Sequence, residues 1–414
     1  MKAVLVNLGC KVNKYEIDSI ATILSGAGYE ISYNHEFADL YIINTCAVTN
    51  ESEKKSRQYV SKLLKLNPNA KIIIMGCASQ NNLEQFKKFP NVYSAIGIEH
   101  KQDILKLIDE SIFKAFDSPK EYESIDNPTT NTIRVNLKVQ DGCNNFCSYC
   151  LIPYLRGRSR SRNLEEVICE AKKLSKTAKE IVLVGIDLSS FKINGKNSLG
   201  ELIYALKDIP ARIRIGSLEV NVITEEFLNI ISKVKNLCPH FHLSMQSGCN
   251  SILKKMNRHY TKEEYLEKCA LLRKYFPNCN ITTDIIVGFS DESEEEFNET
   301  IDTVLKANFG NIHIFPYSPR RGTVSYNFKN ITNDIRHKRV DILESYRDKS
   351  KLEYINSCTG TYTMLLEENI GEYVTGYTEN YIKVYLKNDN YKLNEFVKVK
   401  IIEPFNDGAL VEKE

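Results

Sequence analysis

Residues 139–162, VQDGCNNFCSYCLIPYLRGRSRSR, place Cys143, Cys147 and Cys150 within eight positions and follow them with four arginines. A structural zinc takes four protein ligands, and the next thiol, Cys169, falls in a segment with helical periodicity. Soft thiolates held this closely suit an iron–sulfur cluster. Three ligands would leave one iron of a [4Fe-4S] cube open to an exogenous group. The thiols follow directly on the apolar run VNLKVQD, so they occupy the loop beyond a strand's C-terminus, where α/β folds build active sites. The competing reading is a zinc site completed by a distant His or Cys.

Outward from this loop, six strand-like runs recur: VNLKVQD, EIVLVGID, RIRIGSLE, FHLSMQSG, ITTDIIVGF and NIHIFPYSP. Amphipathic helices such as EEVICEAKKLS and EEFNETIDTVLKA separate them. Right-handed helical connections between parallel strands predict a partial (βα)6 barrel over residues 133–357, with a doubly wound sheet as the alternative. Residues 1–118 repeat the alternation with AVLVNLG, DLYIINT and KIIIMG and with helices over Lys14–Leu24 and Ser52–Leu66. They predict an N-terminal parallel α/β sandwich. The Pro- and Asn-containing stretch 119–132 reads as a linker. Residues 358–414 are short, β-branched and aromatic, the pattern of a small antiparallel β-barrel.

At 414 residues, 42% hydrophobic and 26% charged, the chain is an ordinary globular protein of several domains. It shows no signal-peptide pattern and no apolar run long enough for a membrane span, so no membrane partner is expected. A cytoplasmic location follows, in which twelve cysteines indicate metal or redox chemistry more than disulfides. A formal charge of +2 leaves any polyanion to local patches. Three further thiols end strands: Cys10 after AVLVNLG, Cys46 after LYIINT and Cys77 after KIIIMG. Parallel strands carry such ends to one edge, so a second triad is expected there; the alternative is three ordinary buried thiols.

Taken with their context, these residues resemble the radical S-adenosylmethionine (SAM) methylthiotransferases over nearly the whole chain. LGCKVNKYEID, NTCAVTNESEKKSRQ and MGCASQ are similar to the family's N-terminal cluster domain. The Cx3CxxC loop, MQSGCNSILKKMNRHYT, TTDIIVGFSDESEEEF and FPYSPRRGT are similar to its catalytic core, and YVTGYTENYIKVYL to its RNA-binding TRAM module. The resemblance implies two [4Fe-4S] clusters, one on Cys10, Cys46 and Cys77 and one, binding SAM, on Cys143, Cys147 and Cys150. It implies reductive SAM cleavage, hydrogen abstraction from carbon 2 of a modified adenine, and replacement by methylated sulfur. LGCKVNKYE, rather than a YGCQMN-type start, resembles the branch acting on N6-threonylcarbamoyladenosine beside the anticodon. Isopentenyladenosine in tRNA and, behind it, a ribosomal-protein aspartate are the alternatives. Expected partners are the tRNA anticodon loop and an unidentified electron donor, and a monomer is expected.

Polar residues at barrel strand ends, Asp187, Glu219, Gln246 and Asp284, are candidate SAM or substrate contacts. Arg156, Arg158, Arg160 and Arg162 are candidate RNA contacts. The tail holds more acidic residues than lysines and no arginine, so Tyr362, Tyr373, Tyr377, Tyr381, Tyr385 and Tyr391 are expected to offer stacking faces. Cys169, Cys238, Cys249, Cys269, Cys279 and Cys358 read as structural thiols. A non-catalytic zinc-dependent RNA-binding protein is the rival from another class.

Overall fold

Alternate residues of the first apolar runs face opposite helices. In the computed structural model, which describes residues 1–117, 119–125 and 132–414, six parallel strands form the N-terminal sheet. They are Lys2–Asn7 (β1), Glu30–Ser32 (β2), Leu40–Thr45 (β3), Lys71–Gly76 (β4), Val92–Ile96 (β5) and Phe113–Lys114 (β6), in the order β2-β1-β3-β4-β5-β6. Val4, Val6, Ile43, Ile72 and Ile74 pack on Val60 and Leu63 of helix Asn50–Leu66 (α2). Ala3, Leu5, Ile42, Ile73 and Met75 pack on Ile17, Ile20 and Leu24 of helix Lys11–Gly26 (α1). Burial on both faces is why these strands are apolar throughout. Both helices begin earlier than their apolar periodicity indicates, α1 directly after Cys10 and α2 after Thr49, whose side chain accepts from Ser52 N at 3.1 Å. Part of the expected linker, residues 126–131, lies outside the described residues.

The central domain carries its six runs as parallel strands: Arg134–Lys138 (β7), Glu180–Val184 (β8), Arg212–Ile215 (β9) with Ser217–Leu218 (β10), His240–Leu243 (β11), Asn280–Val287 (β12) and Asn311–Pro316 (β13). RIRIGSLE is two segments rather than one strand. β9 pairs with β8, and β10 pairs with β11. Gly216 sits at the break, where a Cβ would lie 2.7 Å from the Leu183 carbonyl. Outward residues such as Val135, Leu137, Ile181, Ile213, Phe241 and Ile281 form the core beneath the helices. The alternate positions are polar or small, as in Lys138, Glu180, Arg214, His242, Thr282 and Asp284, so the inner wall is hydrophilic. Its exceptions, Val182 and Val184, pack on Val12 of α1, which therefore covers the open side of the partial barrel.

After helix Asn333–Ser357 (α3), the tail closes into a five-stranded barrel. Its strands are Thr361–Ile370 (β14), Tyr373–Tyr377 (β15), Lys383–Lys387 (β16), Phe396–Phe405 (β17) and Gly408–Lys413 (β18), around Met364, Leu366, Val374, Val384 and Val399. The barrel is mostly antiparallel, but β16 and β18 pair parallel. Docking to the central domain runs through Glu180, whose buried carboxylate pairs with Arg134, Arg212 and Arg214. Arg212 and Arg214 then donate to the carbonyls of Thr363, Tyr377, Thr378 and Glu379. Burial would raise Glu180, but Arg214 and its neighbours hold it far below the carboxylate range.

Replacing Glu180 by Ala strands the Arg212 and Arg214 guanidinium groups, leaves Arg134 only Glu367, and is expected to cost about 3–5 kcal/mol. Limited proteolysis should then release the tail, from near residue 358, before the rest of the chain is cut. An unchanged cleavage order would contradict this docking scheme.

Candidate functional site

The order β1-β3-β4 makes three consecutive neighbours of the strands that precede Cys10, Cys46 and Cys77. Registers Asn7↔Asn44 and Thr45↔Gly76 align their C-terminal ends, so residues 36 and 31 apart in sequence meet at one edge. Cys10 is the N-cap residue of α1 and is exposed, whereas Cys46 and Cys77 are buried. Gly76 adopts φ 106°, and a Cβ there would lie 2.5 Å from Asn44 Oδ1, so only glycine fits the turn into Cys77. Beneath the thiols, Asn13 Nδ2 donates to Asn44 Oδ1 and to the Thr45 carbonyl, both at 3.1 Å. Asn44 Nδ2 donates back to the Asn13 carbonyl at 3.0 Å. Burial, then the Cys77 thiol, push Cys46 up to about 11, so a bound cation is what would hold these groups as thiolates.

The other triad occupies the loop after β7. Gly142 has φ 71°, and a Cβ there would lie 2.1 Å from the Arg158 carbonyl; the Cys143 amide donates to the Gly157 carbonyl at 3.1 Å. Arg258 Nη1 donates to Cys147 Sγ at 3.3 Å and to Glu219 Oε1 at 3.1 Å. Cys143 Sγ lies 3.9 Å from Asp187 Oδ2. Burial, followed by the Cys147 thiol and with a smaller push from Cys77, raises Cys150 to about 12. Cys77 belongs to the N-terminal triad, and Arg156, just beyond the cluster loop, donates to its Sγ at 3.3 Å, so the two sets of thiols sit on elements in direct contact.

Asp187, Glu219 and Arg258 line a cavity of about 500 Å³ beside this loop, with Asn145, Ser189 and Tyr260. Asp187 Oδ1 is buried without a hydrogen-bond partner. Burial, then the Glu219 carboxylate, raise Asp187 to about 6. An unsatisfied buried acceptor beside soft sulfur ligands fits a cationic, amine-bearing ligand.

The other two strand-end candidates fall elsewhere. Asp284 is not at a strand end but midway along β12, where Oδ2 meets His242 Nε2 at 3.2 Å and Oδ1 meets His313 Nδ1 at 3.1 Å. It faces a second cavity of about 590 Å³, which Cys10 and the tail's Tyr377 and Tyr381 also border. The three donor groups lie within 4.8 Å of one another, close enough for a metal ion, though the two imidazoles already satisfy the carboxylate. Gln246 adopts φ 66°; its amide donates to the Asp284 carbonyl, and its carbonyl accepts from the Ile286 amide, both at 2.8 Å. It borders neither cavity.

The arginine run is mostly not a surface feature. Arg156 has no solvent exposure. Its Nη1 contacts Glu16 Oε1 at 3.0 Å and Asp141 Oδ2 at 3.0 Å, its Nη2 donates to Asn13 Oδ1 at 3.1 Å, and its Nε donates to Cys77 Sγ at 3.3 Å. Arg162 is buried against Glu170, Glu166 and Tyr15. Both are therefore corrected from RNA contacts to ties between domains, because a desolvated guanidinium must find its carboxylates inside the protein. Arg160 is half-buried and binds the carbonyls of Arg156 and Arg158 at 2.8 and 2.7 Å. Arg158 alone is exposed, stacked over Phe146 at 4.3 Å.

Lys101 and Lys138, also buried, complete the cluster around Glu16 and Asp141. Burial would raise Glu16, but Arg156, Lys101 and Lys138 hold it well below its usual range. Three buried cations share two buried carboxylates here.

The tail tyrosines are likewise less available than expected. Tyr362 and Tyr385 are buried. Tyr377 and Tyr381 stack on each other at 4.7 Å and under Arg134 and Arg214 of the central domain. Cys238, Cys249, Cys269, Cys279 and Cys358 are buried, whereas Cys169 is exposed on helix Leu164–Leu174 and has no packing role.

Glu16, Lys138, Arg258, His242 and His313 do not stand out individually in the sequence. Lys138 did carry a signal, a charge inside the apolar run VNLKVQD, as did the two histidines at alternate positions with polar neighbours.

The model of uncharacterized protein family UPF0004 matches residues 2–97, and that of the radical SAM superfamily matches residues 137–304. The chain is 36% identical to threonylcarbamoyladenosine tRNA methylthiotransferase MtaB of Bacillus subtilis, over 98% of this chain and 95% of that protein. It is 35% identical to tRNA-2-methylthio-N(6)-dimethylallyladenosine synthase of Thermoanaerobacter pseudethanolicus, over 95% and 89%. Among solved structures it resembles the radical SAM methyltransferase TsrM of Kitasatospora setae, with a TM-score of 0.57 and 15% identity over 78% and 77% of the two chains. That likeness shows a shared fold.

Replacing Arg156 by Met removes the buried hydrogen bonds that Glu16, Asp141 and Asn13 Oδ1 receive from one guanidinium and should destabilise the protein by about 3–5 kcal/mol in urea denaturation. Arg158→Ala should stay within about 0.5 kcal/mol of wild type. Equal effects would refute the distinction drawn between them.

Proposed function

The chain belongs to the radical SAM methylthiotransferase family, and from that premise we propose that it converts N6-threonylcarbamoyladenosine beside the tRNA anticodon to its 2-methylthio derivative. The observation that carries this reading is the pair of thiol triads, one beside each cavity and linked through the Arg156–Cys77 hydrogen bond. On this reading Cys143, Cys147 and Cys150 hold the SAM-binding [4Fe-4S] cluster, and Cys10, Cys46 and Cys77 hold a second. Bound there, these groups supply the one-electron cleavage of SAM and the sulfur that is transferred.

This chain's own residues bind, orient and exclude water. Arg258 donates to Cys147 Sγ and, through Glu219, is held in place at the cavity wall. Asp187, with its unpartnered Oδ1, is suited to accept from the SAM ammonium. Arg156 donates to Cys77 Sγ from a water-free position, and hydrogen bonds to cluster sulfurs tune such centres. α1 closes the open side of the barrel over the hydrophilic inner wall, which keeps bulk water from the reacting carbon. Arg158, exposed beside the cluster loop, remains as the run's one candidate for the RNA backbone. The charge-poor tail contributes shape and the walls of the second cavity rather than a basic surface.

Replacing Cys143, Cys147 and Cys150 together by Ala should remove about half the iron and abolish SAM cleavage. The Cys10, Cys46 and Cys77 triple variant should keep SAM cleavage but form no methylthio product. Iron unchanged in either protein would sink the two-cluster assignment.

The nucleoside is tested by offering reconstituted enzyme two tRNAs, one carrying threonylcarbamoyladenosine and one carrying isopentenyladenosine, with mass spectrometry of the digested product. Methylthiolation of the first is expected. Product on the prenylated nucleoside alone would overturn the substrate and leave the reaction class standing.

A further inference from the structure

The second cavity holds one charge that its own contacts do not answer. Both of its carboxylates are engaged. Asp284 is bonded to His242 and His313, and Asp407 pairs with Lys383 at 3.0 Å and with the Tyr385 hydroxyl. The lysines contributed by the tail side are likewise tethered, since Lys351 donates to the Asp407 carbonyl. Lys11 is the exception. It is the first residue of α1, it is exposed, it borders the cavity, and its ammonium has no ion-pair or side-chain hydrogen-bond partner among the described residues. A cation left unpaired at a cavity wall that is otherwise neutralised calls for an anionic ligand group.

Position says which anion. Lys11 directly follows Cys10, a thiol of the triad from which sulfur passes to carbon 2 of the purine on the reading above. Carbon 2 and carbon 6, which bears the N6 nitrogen, flank the same ring atom, N1, whereas ribose and phosphate leave from N9 on the opposite edge. A base that presents carbon 2 to the Cys10 loop therefore carries its N6 substituent to that side and its phosphates away from it. Inside the cavity, the stacked Tyr377 and Tyr381 and the His242 and His313 rings, 5.4 Å apart, provide flat walls for a planar base and ureido group.

We propose that Lys11 is a specificity-determining residue that binds the carboxylate of the substrate's threonylcarbamoyl group. The assignment rests on the threonylcarbamoyladenosine reading, and it names the group by which the site separates that nucleoside from one with an apolar substituent. Loss of the ammonium leaves a carboxylate facing an uncharged wall, whereas an unmodified adenosine has nothing there to lose.

The test compares full-length, iron-reconstituted wild type, Lys11→Met and Lys11→Arg. Each is titrated with one tRNA in two forms, bearing threonylcarbamoyladenosine or plain adenosine beside the anticodon, and iron per chain is measured alongside. Lys11→Met should bind the modified tRNA about 10- to 100-fold more weakly. It should bind the unmodified form within about 3-fold of wild type, and Lys11→Arg should recover most of the loss. Equal weakening on both tRNAs would place Lys11 on a backbone phosphate, and a raised KM for SAM with unchanged tRNA affinity would place it on the SAM carboxylate; either overturns the proposal, as does no effect. Lys11→Gln is the second neutral variant should Met lower the iron content. If wild type makes no product from the modified tRNA, the nucleoside reading fails. If it does, and Lys11→Met binds like wild type, the Lys11 assignment fails alone.

Discussion

Arg156 reaches Glu16 of the N-terminal domain, Asp141 beside the cluster loop, and the sulfur of Cys77, all from a position without solvent. A guanidinium so placed tolerates no relative movement of the elements that satisfy it, because an unpaired buried charge is very costly. Its fork geometry suits the task, since separate N–H groups engage separate partners. Leu151, the N-cap residue of the short helix Ile152–Arg156, and Leu155, one turn later, pack in the N-terminal core. Apolar contact thus supplies adhesion between the domains, and the charge cluster supplies register. The mutual placement of the two thiol triads follows from that register.

A second charge cluster performs the equivalent task at the other end of the central barrel. Glu180 gathers Arg134, Arg212 and Arg214, and those arginines grip tail carbonyls and stack under tail tyrosines. The Glu180 cluster sits on inward-facing strand positions, and Lys138 ties the Arg156 cluster to the same wall. A barrel wall of this polarity cannot close into an apolar core, and it leaves hydrophilic space that α1 and the tail cover from opposite sides. The cavity beside Cys10 is what remains of that space.

Relatives bearing two different nucleoside names are 36% and 35% identical to this chain over nearly its full length. Global identity therefore does not separate the two nucleoside names here. Such discrimination is physically cheap to encode, since a carboxylate and a prenyl group differ by a full charge.

Much of this architecture was legible in the chain itself. Unbroken apolar runs indicated two-sided parallel strands, and six such runs indicated the barrel. The spacing of Cys143, Cys147 and Cys150 set three thiols on one loop, and the strand-end positions of Cys10, Cys46 and Cys77 set them at one sheet edge. These features are local, set by periodicity and by the end of a strand. Tertiary structure alone decided the fate of the charges. Arg156 and Arg158 are two residues apart in one basic run, yet one is entombed with two carboxylates and the other lies in solvent, because their neighbours come from α1 and from Phe146. Asp284 looked like a strand-end ligand until its partners, His242 and His313, arrived from adjacent strands. Lys11 belongs to the LGCKVNKYE motif, and its lack of a partner follows from the way the chain closes around the second cavity. Long-range pairing, unlike periodicity, leaves no mark on the residues that make it.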